Sequence, residues 1–260
     1  MSGCFTHVFD KSKTEYTNWT AANDETELFK AFLSNNDIYG FIHNGDAPPD
    51  TEAIDIAERL DADMYSRYLH ANIGKKLLGY DGGFPSENAS YNNLDSRHCM
   101  MSVVLFKHIP IPIRHVVEIG GGYGNWLRLN YPLQSFEKWS IVDLDHVGRL
   151  QRWCLTQWGI PDNVYDIVSS NDTSRLQPAD VVIGAHSLSE FSYDTFKLYF
   201  DTVLVNAKYL FYAYHRTSPS EGLIRAKNAL LTTAFDLVVA IPSQEGAVFN
   251  CVLKNKTITT

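Results

Sequence analysis

The chain reads as an α/β protein: a mostly parallel, seven-stranded sheet with a C-terminal antiparallel hairpin, preceded by an N-terminal helical extension. Three observations predict this. From Arg114 onward, short β-branched runs alternate with helical segments, the pattern of a parallel sheet covered on both faces. The first of these runs enters a glycine-rich turn. The last two are separated only by Pro242-Ser243-Gln244-Glu245-Gly246, a spacer short enough for a hairpin.

The first hundred residues are helical in character. Asp24 and Glu27 form a capping arrangement ahead of Leu28, Phe29, Phe32 and Leu33, an apolar face. After the break at Ala47-Pro48-Pro49-Asp50, the residues Ile54, Ala57, Leu60, Met64, Tyr65 and Tyr68 recur at three- and four-residue spacing. That spacing predicts one longer amphipathic helix, with Tyr65 and Tyr68 as core or interface aromatics rather than sugar-stacking residues. The turn formers of residues 81–88 predict a loop. Helical periodicity then resumes over 93–108 through Met100, Met101, Val104 and Leu105, until Pro110 and Pro112 stop it. We divide the chain on this basis into an extension or lid, 1–108, and a ligand-binding domain, 109–260.

Within the second part, strands are expected at 115–119, 139–142, 164–169, 181–184 and 208–213, with the closing pair at 235–241 and 247–253. A helix over 146–158 ends at Gly159 with Pro161 beyond, and Ser218-Pro219-Ser220-Glu221 reads as a capping box with Pro219 at the first helical position.

Composition narrows the function. The chain is 45% hydrophobic and 20% charged, and no apolar run approaches the roughly 20 residues of a membrane helix, so no membrane partner is expected. Met1 to His7 lack a basic start and an apolar stretch, which makes the cytoplasm the expected location. Cys4, Cys99, Cys154 and Cys251 are far apart and read as reduced thiols, so no metal site is assigned. A formal charge of −8 speaks against a nucleic-acid partner, since binding a phosphate backbone relies on many Lys and Arg.

The chemistry concentrates between His115 and Asp145. Val116-Val117-Glu118-Ile119-Gly120-Gly121-Gly122-Tyr123-Gly124 is an apolar strand entering a glycine turn, with a helix expected from Asn125. Glycines tolerate positive φ and let a ligand approach the backbone. Ser140-Ile141-Val142-Asp143 then ends the second strand with a carboxylate, 23 residues after Gly120, near the spacing at which an acid reaches a ribose diol. A dinucleotide fingerprint needs a small residue where this chain has Asn125.

With these residues the sequence resembles the class I S-adenosylmethionine-dependent methyltransferases, through the acid-x-Gly-x-Gly-x-Gly pattern of Glu118 to Gly124, over roughly residues 95 to 253. More narrowly it resembles the sugar O-methyltransferases, through Ile141 to Asp145 and Ala179 to Phe191, chiefly Leu188-Ser189-Glu190. The resemblance implies a Rossmann-like sandwich that takes S-adenosyl-L-methionine and releases S-adenosyl-L-homocysteine. It implies that Gly120, Gly121 and Gly122 face the methionine and ribose, that Glu118 holds the turn or the amino group, and that Asp143 takes the ribose hydroxyls. Leu144 would lie against adenine, Asn171 and Asp172 at its edge, and Ala185 and His186 beside the sulfonium. Asp145 stands where such families often carry proline.

An oxygen nucleophile needs a base, and imidazole suits neutral pH. His186, at the C-terminal edge of the sheet where such folds bind ligands, is the first candidate; Glu190 is placed to orient it or to accept a sugar hydroxyl, and His215 is a second candidate base. Arg97 can pair with the methionine carboxylate or form a surface ion pair, and Tyr91 with the 81–92 loop can act as a lid. The expected partner is a carbohydrate, for example a deoxyhexose such as rhamnose in a glycan, or another small-molecule acceptor. Three alternatives stay open: a natural-product O- or N-methyltransferase, a nicotinamide-dependent dehydrogenase, and a non-catalytic cofactor-binding module. Oligomeric state is not legible.

Overall fold

A computed structural model of the chain describes residues 49–72, 93–217 and 219–258. The helix expected after Asp24, the 81–88 loop and Tyr91 lie outside the described residues. Two helices come first, α1 (Thr51–Asn72) and α2 (Asn93–His108). They are followed by β1 (His115–Ile119), α3 (Asn125–Asn130), β2 (Lys138–Asp143), α4 (Asp145–Gln157), β3 (Tyr165–Ser169), β4 (Val181–Ala185), α5 (Ser187–Glu190) and α6 (Tyr193–Thr202). Then come β5 (Tyr209–His215), α7 (Glu221–Ala234), β6 (Phe235–Ser243) and β7 (Val248–Asn255).

The seven strands make one sheet in the order β3-β2-β1-β4-β5-β7-β6. β1 to β5 are parallel, and β7 runs antiparallel between β5 and β6. This is the predicted Rossmann-like fold of methyltransferase domains, with its C-terminal antiparallel hairpin and helical extension. A dinucleotide-binding sheet in the order 3-2-1-4-5-6 has no strand inserted in this way.

The strands are buried on both faces because successive side chains point to opposite sides. In β5, Tyr209, Phe211 and Ala213 join one core and Leu210 and Tyr212 the other; β4 divides likewise, with Val181 and Ile183 against Val182. The first core is covered by Tyr65 and Tyr68 of α1, Val103 and Val104 of α2, and Trp126 of α3, the second by Phe196 and Phe200 of α6 and Leu231 of α7. Helices α1 and α2 thus share the sheet's own core. Cys99, Cys154 and Cys251 are buried, and among the described residues no helix is long and apolar enough to cross a membrane.

Two local expectations are corrected. The single helix predicted through Leu60 and Met64 breaks at Asp61, whose backbone is extended (φ −162°, ψ 89°). Its Oδ1 accepts the Met64 N–H at 2.9 Å, so a side chain that the periodicity counts as solvent-facing starts a second helical segment. Helix α7 is capped by Ser220 rather than Ser218, for Ser220 Oγ accepts the Leu223 N–H at 3.2 Å and Pro219 stays outside the helix.

The chain leaves β1 toward β2 on one side, while β4 pairs with β1 on the other. A crevice at the C-terminal ends of β1 and β4 follows from that reversal.

Candidate functional site

The glycine turn opens this crevice. Gly120 has φ +74°, its N–H donates to Val142 O at 2.9 Å, and a Cβ there would stand 2.5 Å from Ser187 Cβ. Only glycine satisfies both the backbone and the contact. Ser187 Oγ in turn donates to Ile119 O, which fastens the exit of β4 to that of β1. Gly124, at φ +88°, precedes α3 and lets the chain enter that helix directly. Glu118 lies beneath the turn, next to Gly121, and accepts the Trp139 indole N–H at 2.8 Å. Burial pushes its carboxyl up to about 8, against the pull of that hydrogen bond.

Asp143 ends β2 beside the turn. Its Oδ1 accepts the Leu144 N–H at 2.9 Å, and its Oδ2 accepts Gln151 Nε2 at 2.8 Å. Burial raises the carboxyl to about 7, while the N–H groups of Leu144, Gln151, Gly121 and Gly122 hold it from rising further. Leu144 precedes α4 with an extended backbone, and Asp145 begins that helix, which fixes the loop shape where proline is absent. Asn171 and Asp172 follow β3 but are exposed and engaged locally: the Asn171 N–H donates to Ser169 Oγ at 3.3 Å, and Asp172 Oδ1 accepts Ser174 Oγ at 2.6 Å. Tyr199 of α6 lies within electrostatic reach of Asp143, whose charge, after burial, adds to the upward shift of its phenol.

The structure brings His186 and His215 together at the tips of β4 and β5, with His98 of α2 within electrostatic reach of His186. His186 follows the half-buried Ala185 with φ +69°, a backbone state rare outside glycine that costs on the order of 1–3 kcal/mol. Its N–H donates to Ala213 O at 2.9 Å, and its carbonyl accepts both the N–H and the Oγ of Ser189. The His186 and His215 rings are 5.1 Å apart. His98 of α2 packs edge-on to Trp126, with its Nδ1 3.1 Å from Asn125 Nδ2. Burial lowers His98 to about 3 and His186 to about 4, with His186 next acting on the former and His215 on the latter. His215 is lowered by burial and then by Arg97. Arg97 bears on all three rings, and its Nε donates to Asp50 Oδ2 at 2.7 Å.

Glu190 does not orient His186. The His186 Nδ1 is buried without a partner, and the charge acting on Glu190 is that of Lys227, which opposes a rise by burial to about 7. Lys227 is itself buried, and its Nζ donates to the carbonyls of Leu188, Ser189 and Phe191. It thereby terminates α5, the turn that follows His186. Among the described residues no three His, Cys, Asp or Glu side chains converge closely enough to hold a metal ion.

Four residues important to this geometry escape a sequence reading: Gln151, Lys227 and the buried pair of Asp95 and Arg128. Asp95 Oδ1 accepts from both Arg128 Nη2 and Asn125 Nδ2, and Arg128 Nε donates to Asn125 Oδ1 at 2.7 Å. Asn125, the residue that departs from a dinucleotide fingerprint, thus clamps α2 onto the helix after the glycine turn. Gln151 alone offered a signal, as a polar residue in the row Val147, Leu150, Gln151, Cys154 and Leu155 that otherwise reads as the buried face of α4.

No family model matches the chain, and no curated protein matches it by sequence. Solved structures do resemble it. The methyltransferase domain of bacterial-CtHen1-C aligns over 60% of this chain and 96% of its own, with a TM-score of 0.50 at 12% identity. The PH0226 protein from Pyrococcus horikoshii OT3 aligns over 73% of this chain and 99% of its own, with a TM-score of 0.50 at 13% identity. At such identity the likeness is one of fold: the chain shares a seven-stranded Rossmann-like architecture with these structures, the first of which is a methyltransferase domain.

Proposed function

We propose that the chain is an S-adenosyl-L-methionine-dependent O-methyltransferase, with a carbohydrate or other small molecule as acceptor. The observation that carries this reading is the junction of the Gly120 to Gly124 turn with the Asp143 carboxylate at the end of the neighbouring strand. The residues fit the cofactor: Asp143 presents two acceptor oxygens suited to a ribose diol, and the turn carries no side chain at Gly120, Gly121 or Gly122 to bar a ligand. Leu144 stands next to Asp143, where adenine would lie. When bound, the cofactor supplies a methyl group on a positively charged sulfur.

The chain's own contribution is alignment and proton removal. Methyl transfer is a displacement at carbon, so much of the rate comes from holding the acceptor oxygen in line. His186 is neutral at physiological pH because burial disfavours its charged form, and it can accept the hydroxyl proton as the bond forms. His215 stands close enough to share that load.

For the acceptor we propose a sugar hydroxyl, as in a deoxyhexose of a glycan. Of the three residues behind this choice, Leu188 and Ser189 are buried, which leaves Glu190 to meet an acceptor. The low basicity of His186 favours a second reading, a natural-product hydroxyl more acidic than an alcohol.

The test is calorimetry with S-adenosylhomocysteine and NADH, followed by an acceptor panel with methyl-labelled donor. Tight binding of S-adenosylhomocysteine alone is expected, and Asp143→Ala should weaken it by roughly 10- to 100-fold, the value of hydrogen bonds to a charged group. Binding of NADH alone, or label transfer to no hydroxyl, overturns the proposal.

A further inference from the structure

Helix α4 turns its buried row toward the sheet, and one member of that row, Gln151, is polar and fully buried. A buried amide is costly unless hydrogen-bonded, so its partners indicate why it is there. Its Nε2 donates to Gly122 O at 2.9 Å and to Asp143 Oδ2 at 2.8 Å. Both partners are acceptors, which fixes the amide orientation: the NH2 group must face them and the oxygen must face away. The oxygen, Oε1, is buried with no hydrogen-bond partner. Leucine or methionine would fill the same row without that orphan. The amide is therefore retained at a cost to the fold, and what it holds is one backbone carbonyl of the glycine turn and one oxygen of the strand-end carboxylate.

We infer that Gln151 is a positioning residue for adenosine recognition, spanning the glycine turn and the β2 carboxylate so that Asp143 presents a fixed, ionised acceptor to the ribose hydroxyls. The inference rests on the proposed function, which makes Asp143 the ribose ligand. Gln151 touches Asp143 and the turn rather than the ligand. Two consequences separate it from a residue that merely packs. Its donated hydrogen bond favours the ionised carboxylate, and Oδ2 held by Gln151, with Oδ1 held by the Leu144 N–H and the Gly121 and Gly122 N–H groups bearing on the same carboxylate, fixes the directions from which Asp143 can accept a ligand hydroxyl.

The experiment measures calorimetric affinity for S-adenosylhomocysteine and for its 2′-deoxyribose analogue, in the wild-type chain and in Gln151→Met. In the wild type, removing the hydroxyl should weaken binding by roughly tenfold. In Gln151→Met, affinity for S-adenosylhomocysteine should fall by about tenfold, while the penalty for the missing hydroxyl shrinks to less than about threefold, because the carboxylate no longer distinguishes the two ligands. A folded variant that keeps the full penalty overturns the inference and leaves the proposed function intact. No binding of S-adenosylhomocysteine by the wild type overturns both.

Gln151→Glu keeps the size of the side chain and serves if the methionine variant does not fold. Wild-type affinity should rise as pH increases through about 7, as Asp143 ionises. Gln151→Glu should instead lose affinity toward alkaline pH, where two adjacent carboxylates are both charged. A variant that follows the wild-type profile overturns the inference.

Discussion

The imidazoles of His186, just past β4, and of His215, the last residue of the adjacent β5, stand 5.1 Å apart at 35° to each other, so a proton on one opposes a proton on the other. Burial lowers His186 to about 4, and a base works in its unprotonated form, so turnover at saturating donor should hold steady from pH 8 down to about 5 and fall as pH drops through about 4. An ordinary histidine would lose activity near 6.5. His186→Ala should reduce kcat by roughly 100-fold or more with little change in affinity for S-adenosylhomocysteine. Full activity in that variant moves the role to His215.

Glu118 ties stability to pH in the opposite sense from a salt-bridged acid. Its folded carboxyl is raised to about 8 by burial, so between its ordinary value of 4.5 and 8 the folded chain holds a proton that the unfolded chain has lost. Its contribution to stability is therefore greatest below 4.5 and declines as pH rises to about 8. Glu118→Gln should flatten this slope, and its melting temperature relative to wild type should be highest at pH 8 and above. The gain there should exceed about 1.4 kcal/mol, the value of one pKa unit. Equal slopes in the two proteins would remove Glu118 as the cause.

Asp95→Ala leaves the Arg128 guanidinium buried without its carboxylate and removes an acceptor from Asn125. Breaking one side of such a pair costs roughly 3–5 kcal/mol. Urea denaturation should show that loss, whereas the double variant Asp95→Leu with Arg128→Met should recover much of it, because no unpaired charge is left behind.

Lys227→Met removes the donor that satisfies three carbonyls around α5. The expected cost is about 1–3 kcal/mol, since the carbonyls stay buried and lose a charged partner. The Glu190 carboxyl should titrate higher still, because Lys227 is what opposes its rise. Observing Glu190 by NMR at an unchanged value would show that Lys227 does not act on it.

Most of the sheet is legible in the sequence because its signals are local. The run from Val116 to Ile119 is β-branched and abuts glycines, and the segment after Pro242 carries the turn residues of a hairpin. The same locality explains the failures. Asp61 sits in an unbroken apolar period, and only its own side chain decides that the helix restarts there. Ser218 and Ser220 are equivalent cap candidates until Leu223 selects one. Within the site, Asp143 and His186 are legible because they end predicted strands. Arg128 and Lys227 are not, for a charged side chain on a helix reads as solvent-facing until a distant element buries it.

The turn between β6 and β7 reaches the same edge of the sheet as His215. Val248 pairs with His215, Arg216 N–H donates to Ala247 O, and the Glu245 N–H is held by the carboxylate of Glu52 at the start of α1. Asp143 lies on the far side of β1 from β4 and β5. Under the proposed function, donor and acceptor therefore answer to separate stretches of chain. Substitutions at Gln244 or Glu245 should therefore leave nucleoside affinity unchanged, and any effect they have is expected on the acceptor side alone.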